Sequence, residues 1–270
     1  MPTAVRRLVP LLLAGLLLVP LAGPVAAVVV EPTDAAAMTQ AGLDLVDLTN
    51  RQRTPLGLIG LRLDPRLMAI ARDRAEVMAI NDVMSHTEPD GRNVFDRLNG
   101  AGVTWYGAGE IIAWNDYPAE SATTAVIQAW MASPGHHAIM VSADYNYVGF
   151  GAAMSTTGRR YYAGVFVKAP DHTGPWSRFR AISTQRVDAY HKRVTIRWTG
   201  GDTRLQVLTA GLRYFQVQRR YAGGGWYSWA TTTATSRVVT WTRGRTYEVR
   251  VRARDRAGNW GSWRAISIRL

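Results

Sequence analysis

Apolar residues recur at helical spacing through the first half of the chain and at period two near its end. In residues 38–53, Ala41, Leu45 and Leu48 fall on one helical face. Asp64-Pro65 reads as an N-cap followed by proline at the first helical position. Behind it Leu67, Ile70, Ala71, Ala75 and Met78 mark the buried side of a helix running to about Asn81. Ser85–Asn93 is a turn-rich loop. Val94–Leu98 starts a short helix that Gly100 or Gly102 ends. Glu110–Trp114 has strand character. Pro118 opens a helix through Met131 that buries Val126, Ile127 and Trp130, and Ser133-Pro134-Gly135 breaks it and is a candidate cap for a following turn. Tyr145–Ala153 and Arg160–Lys168 read as strands joined by a Ser-Thr-Thr-Gly hairpin. Helices, then strands, with helical connections between them, predict α+β layers.

After residue 170 the period changes to two. Val194–Trp198, Phe215–Val217 and Tyr247–Ala253 alternate apolar and polar positions. Turns are expected at Gly200-Gly201-Asp202, Gly223–Gly225 and Ala257-Gly258-Asn259. Short alternating strands at this spacing predict a second, all-β sandwich.

The first 27 residues follow a different logic. Arg6 and Arg7 precede an apolar run from Leu8 to Ala22, and Val25-Ala26-Ala27 supplies the small residues of a cleavage site. This is the pattern of a secretory signal peptide cut after Ala27, leaving a mature chain without a spanning helix outside the cell. The rival is a membrane anchor over residues 8–30, opposed by Pro10, Pro20 and Pro24. The Arg pair leaves both the general secretory and the twin-arginine routes open.

Charge divides the remainder. Residues 28–170 hold 11 basic and 15 acidic side chains, net −4; residues 171–270 hold 19 and 5, net +14. Such asymmetry implies two domains with different partners, with the seam at residues 169–175 (APDHTGP). The chain has no cysteine, which excludes disulfides, thiolate metal sites and a cysteine nucleophile. It shows no phosphate loop, nucleophile elbow, dinucleotide fingerprint or dedicated nucleic-acid motif.

Candidate chemistry before the seam rests on His86, His136 and His137, with Glu88, Asp90, Glu110 and Gln128 near them in sequence. Imidazole with carboxylate suits zinc and its neighbours. The long spacing between His86 and His136 is equally that of hydrogen-bonded loop residues or helix caps.

Several ordered stretches now carry a resemblance: LVDLTNRQRTPLGLIGLRLDPRLMAIARDRAEVMA, MSHTEPDGRNVFDRLNGAG, GAGEII, AWMASPGHHAIM, YNYVGFG and YYAGVFV. Together they resemble a bacterial CAP (SCP) domain, of the superfamily that also holds plant pathogenesis-related proteins. The resemblance implies an α-β-α sandwich over residues 38–169, with a cleft holding two His and two acidic residues. By motif these fall on His86, Glu110, His136 and Gln128, the last a neutral amide where the family has a carboxylate. Ile111 replaces the family Asn, and Ala163-Gly164 replaces Thr-Gln.

Beyond a linker at 170–175, the run TYEVRVRARDRAGNWGSW and the early Trp198 resemble a fibronectin type III domain over residues 176–270. That resemblance implies a binding or spacer module without catalysis. Arg250, Arg252 and Arg254 alternate with core positions and form a candidate cationic ladder for an anionic cell-wall polymer or polysaccharide. Trp226, Trp229, Trp260 and Trp263 are expected mainly in the core.

The sequence thus describes a secreted envelope protein whose CAP cleft takes a divalent metal such as Zn²⁺ or a small apolar or lipid ligand, with a basic tail for attachment. Two alternatives stand beside it. One is a metal-assisted hydrolase of peptide or cell-wall substrates with Glu110 as base. The other is a purely structural interaction module.

Overall fold

The computed structural model describes residues 32–221 and 223–270. The signal segment, its cleavage after Ala27 and the rival anchor at 8–30 lie outside the described residues. Among those described, no helix is long and apolar enough to cross a membrane.

The elements of the first part appear where the hydrophobic pattern places them. They are α1 (Pro32–Arg53), β1 (Arg62–Leu63), α2 (Pro65–Asn81), α3 (Val94–Gly100), β2 (Gly107–Asn115), α4 (Ala119–Ala132), α5 (Pro134–Met140), β3 (Tyr147–Met154) and β4 (Arg160–Lys168). Asp64 caps α2, its carboxylate accepting from the Arg66 backbone N–H with Pro65 following. Asn93 and Asp96 close a reciprocal capping box on α3. Ser133–Gly135 ends α4 and, as expected of a segment that also caps a following turn, opens α5 with Ser133 at the N-cap position and Pro134 in the first turn.

The sheet order is β1-β3-β4-β2, antiparallel except for β1 beside β3. Leu67, Ile70, Ala75 and Met78 of α2 pack with α3 on one face, against Tyr147, Val165 and Val167. Leu45 of α1 and Val126, Ile127 and Trp130 of α4 cover the other face, against Ile111, Phe150 and Phe166. The central strands are therefore covered on both sides, which produces the α-β-α layering.

Two glycines set how closely these layers meet. Any Cβ on Gly149 would overlap the backbone of Leu67 and Met68, and one on Gly151 would overlap that of Ala71 and Arg72. Helix α2 thus lies directly on the β3 backbone. Gly164 sits between Ile111 and Phe150 in register, and a side chain there would strike the Phe150 ring. Positions 111 and 164, where the resemblance implies polar residues, are here part of apolar packing.

The second part has seven strands: β5 (Trp176–Arg186), β6 (His191–Gly201), β7 (Leu212–Tyr221), β8 (Tyr227–Thr232), β9 (Ser236–Thr242), β10 (Thr246–Asp255) and β11 (Arg264–Arg269). They form two sheets, β5-β6-β9 and β11-β10-β7-β8. Val194, Ile196 and Trp198 from the first meet Phe215, Val217, Val249 and Val251 from the second in one core. The alternating runs at 194–198, 215–217 and 247–253 lie in β6, β7 and β10. The other four strands lack a sharp alternation and were not marked by it. Gly200-Gly201, expected as a turn, lies inside β6, where the Trp176 carbonyl and the Phe215 ring leave no room for a side chain on Gly200.

Residues 170–175 contain no helix or strand, yet they are firmly held. His172 stacks on Tyr147 at 3.8 Å and its Nε2 lies 3.0 Å from Asp64. The 202–211 loop reaches back into the first part: Leu205 is buried in the α2 core, and Gln206 Oε1 accepts from Ile59 N at 2.6 Å. Asn146 Nδ2 bridges the Ala169 and Val207 carbonyls at 2.8 and 3.2 Å. Burial alone would raise the Asp64 pKa, but hydrogen bonds from His172 and Arg66 outweigh it and hold the carboxyl well below its ordinary range.

Gly151→Ala is expected to cost about 3 kcal/mol, because α2 must lift from β3 to admit a methyl group. Denaturant unfolding of the full chain checks this. Gly135→Ala, at a position of α5 open around its Cβ, is the control and should leave stability unchanged or raise it by up to about 1 kcal/mol.

Candidate functional site

Helix α2 carries an arginine on its apolar side. Arg74 falls between Ile70, Ala71, Ala75 and Met78, and its side chain is 0% exposed. Its guanidinium donates from Nε to Glu110 Oε1 at 2.7 Å and from Nη2 to Glu110 Oε2 at 3.3 Å. It also donates from Nη1 to Glu88 Oε1 at 3.1 Å and from Nη2 to the Ser85 carbonyl at 2.7 Å. One buried cation therefore joins helix α2, strand β2 and the 85–88 loop. Glu88 is gripped from its other side by Arg97 of α3, whose Nη2 lies 2.9 Å from Oε2. Burial would raise the Glu88 pKa, but the Arg97 and Arg74 guanidinium groups outweigh it and lower it.

His86 stands at the mouth of this network, its side chain 58% exposed, with Nδ1 at 2.7 Å from Glu110 Oε2. Toward an ionised carboxylate, which only accepts, this contact is a hydrogen bond donated by Nδ1. His136, in the first turn of α5, is half-buried. Its pKa is lowered by burial and then by the charge of His86, which favours its neutral form. Gln128 is exposed on α4. Beside the loop a cavity of about 280 Å³ is lined by Arg74, Met78, Val83, Thr87, Glu88 and Pro89.

This geometry bears on the metal that the family resemblance implies. Both Glu110 oxygens are held by Arg74, and one of them also by His86, so the carboxylate offers little to a cation or as a base. Among the described residues, the one group of three or more Asp, Glu or His side chains with ligating atoms mutually within 4.8 Å is Asp171, Asp202 and Asp255. The ligating atoms of His86, Glu110 and His136 are not gathered within that distance of one another in this arrangement.

The aspartate trio sits at the junction of the two parts. Asp171 accepts from Thr173 N at 2.8 Å and Ala210 N at 2.9 Å, Asp202 from Thr203 N at 2.9 Å and Gly211 N, and Asp255 from Asn259 N at 2.7 Å. Burial, then the neighbouring Asp171 and Asp255 charges among other contributions, raises the Asp202 pKa.

On the outer face of β10 the arginines are interleaved with tryptophans. Arg250 lies over Trp226 at 4.4 Å and Trp263 at 4.3 Å; Arg252 lies over Trp260 at 3.9 Å and Trp263 at 4.5 Å; Arg254 lies over Trp260 at 5.1 Å. Gln218 Oε1 accepts from Arg250 at 2.6 and 2.8 Å, and Gln216 Oε1 from Arg252 at 2.8 Å. The expectation that most of these tryptophans fill the core is corrected here. Trp226, Trp260 and Trp263 lie outside it and sheathe the arginines, and Trp229 alone of the four packs against the core. The order follows from chain geometry: β10 projects an arginine at every second residue, and the return toward β11 brings Trp260 and Trp263 over them.

Three of the residues that build these sites escaped the sequence reading: Arg74, Arg97 and Asp202. Arg74 was detectable, being a charge at an apolar helical position. Arg97 and Asp202 gave no comparable signal.

Arg74→Met is expected to destabilise the full chain by about 3–5 kcal/mol, since it strands two buried carboxylates. Acid should have a related effect. The depressed Glu88 and Asp64 carboxyls stabilise the fold fully above their ordinary pKa, about 4, and that stability is withdrawn as pH falls below it. Urea midpoints at pH 7, 5 and 3 test the sign: little change between 7 and 5, then a marked fall.

Comparison with known proteins gives these features a family. Residues 46–167 match the model of the CAP family, described as the cysteine-rich secretory protein family. Two proteins of Bacillus subtilis (strain 168) are similar: the uncharacterized membrane protein YlbC, 32% identical over 132 residues, and the uncharacterized protein YkwD, 31% identical over 107. The matched stretches cover 48% and 40% of this chain, but only 35% and 40% of those relatives. Among solved structures, an extracellular protein containing an SCP domain from Bacillus anthracis is 24% identical, with a TM-score of 0.45, over 52% of this chain and 44% of that one. Residues 46–167, with their helices on both faces of one sheet, form a CAP (SCP) domain.

Proposed function

We propose that the chain is a secreted, non-enzymatic binding protein in which a fibronectin type III-like sandwich attaches the CAP domain to an anionic polymer at the cell envelope. The observation that carries this is the distribution of charge in the sandwich. Of five acidic residues after 170, Asp171, Asp202 and Asp255 are gathered at the CAP junction, Asp188 pairs with His191, and Glu248 pairs with Arg220. The 19 basic residues of that half are therefore scarcely opposed elsewhere on its surface. Exposed arginines such as Arg193 and Arg197 stand on the outer face of β6. A field of this sign draws polyanions from solution and binds them by counterion release.

The fibronectin type III reading is supported by the three-plus-four strand order, by Trp198 in the core from the second strand, and by a tyrosine corner. Tyr247 hydroxyl accepts from Thr242 N at 3.1 Å and donates to its carbonyl at 3.3 Å. The leader-like residues 1–27 support export. Capture of Glu110 by Arg74 favours binding over hydrolysis in the CAP domain.

Retention of the full chain on an acidic polysaccharide matrix should fall steeply between 50 and 200 mM salt, values chosen to span about the range over which such contacts weaken. Replacing Arg193 and Arg197 by glutamate should bring elution to lower salt. Retention insensitive to salt, or to both substitutions, would overturn the reading.

A further inference from the structure

The sandwich has an opening at the end away from the CAP domain. From Tyr247 to Asp255 at the junction, β10 covers about 26 Å at the usual strand rise. Phe215 and Val217 of β7 face the core, and the same alternation carries Arg219 and Tyr221 to the inner side beyond it. In register, Arg219 lies between Val249 and Tyr227, and Tyr221 beside Tyr247. Arg219, Tyr221, Tyr227, Ser228, Trp241 and Tyr247 border a cavity of about 310 Å³.

Its floor is aromatic. Trp241 and Tyr247 stack at 4.2 Å with rings within 1° of parallel, Trp229 lies 5.9 Å from Trp241, and Tyr221 lies 5.2 Å from Tyr247. Its cations differ in availability. Arg220 pairs with Glu248, whereas Arg219, which lies over Trp229 at 5.4 Å, makes no ion pair among the described residues. The rim is open, with Tyr221 54% and Tyr227 61% exposed.

We infer that this mouth is a binding site for one ring of an acidic saccharide. Above that buried aromatic base, the exposed Tyr221 and Tyr227 rings at the rim take the C–H face of a pyranose. The Tyr221, Tyr227 and Ser228 hydroxyls exchange hydrogen bonds with ring hydroxyls, and Arg219 pairs with a carboxylate or phosphate on the sugar. The volume is at the small end of ligand pockets, and the open rim lets a longer chain continue past it. The inference rests on the proposed function and gives the anionic polymer one specific point of contact.

The test uses the full chain, with calorimetry at fixed low salt. The probes are a hexauronate, a neutral hexasaccharide, inorganic phosphate and oligothymidylate. Arg219→Ala and Tyr227→Ala are compared with Arg264→Ala, an exposed change of equal charge outside the pocket, and thermal melts show whether each variant is folded. Hexauronate should bind at least tenfold more tightly than the neutral sugar. Arg219→Ala and Tyr227→Ala should each weaken it fivefold or more, and Arg264→Ala less than twofold. If phosphate competes with hexauronate, the Arg219 subsite takes either anion; if it does not, the site selects carboxylate. Equal losses in Arg219→Ala and Arg264→Ala would overturn the site while leaving diffuse polyanion binding intact. No binding of either hexauronate or oligothymidylate by the unsubstituted chain would overturn the proposed function itself. Tighter, Arg219-dependent binding of oligothymidylate would overturn the saccharide class. If Arg219→Ala proves unfolded, Tyr227→Ala and Arg219→Lys, expected to retain part of the affinity, decide.

Discussion

A guanidinium with no access to water constrains the CAP domain. Arg74 enters from the apolar side of α2, where an unpaired charge would be prohibitive, and is tolerated because two carboxylates and a carbonyl surround it. The loop from Ser85 to Glu88 must therefore fold against α2, and β2 must present Glu110 at one register position and no other. The same requirement fixes His86, whose ring orientation is dictated by the carboxylate that Arg74 holds. The exposed imidazole is the outermost member of a set organised from inside.

The sandwich solves a different problem with the same residue type. Its arginines are too many to pair with acids, so those on β10 are stacked between indoles and hydrogen-bonded through Gln216 and Gln218. Stacking leaves the charge in place while using the flat faces of the group, a mode open to arginine and not to lysine. Burial, followed by the charges of Arg252 and Arg220, lowers the pKa of Arg250, and burial lowers that of Arg252 against an opposing influence of Tyr214. Meanwhile the acids gather where the two parts meet, and backbone N–H groups of Thr173, Ala210 and Thr203 receive them.

The layered part was legible because its elements repeat a simple rule. Asp64-Pro65, the Leu67-to-Met78 face and the Val126/Ile127/Trp130 trio each state a boundary or a buried side within one short window. The sandwich was legible only where alternation was sharp, as in β6, β7 and β10. In β5 and β8 most side chains are exposed or half-exposed, so no two-residue period separates inside from outside. The placement of the tryptophans depended on which strand lies beneath them after a turn, a long-range fact that local composition does not contain. His86 and Glu110 stand out as candidate chemistry by residue type, and motif resemblance joins them in one cleft. That their chemistry is governed by Arg74 required knowing which face of α2 meets β2.

The junction has a mechanical meaning. Leu205 is embedded beneath α2, Asn146 bridges carbonyls from both sides of the seam, and His172 is stacked and bonded to the cap of α2. Bending between the two parts would require pulling an apolar side chain into water and breaking several hydrogen bonds together. The sandwich is consequently a strut rather than a tether. Any load borne at its far end arrives at the first turn of α2 without slack, and the orientation of the CAP domain is set by the orientation of the strut.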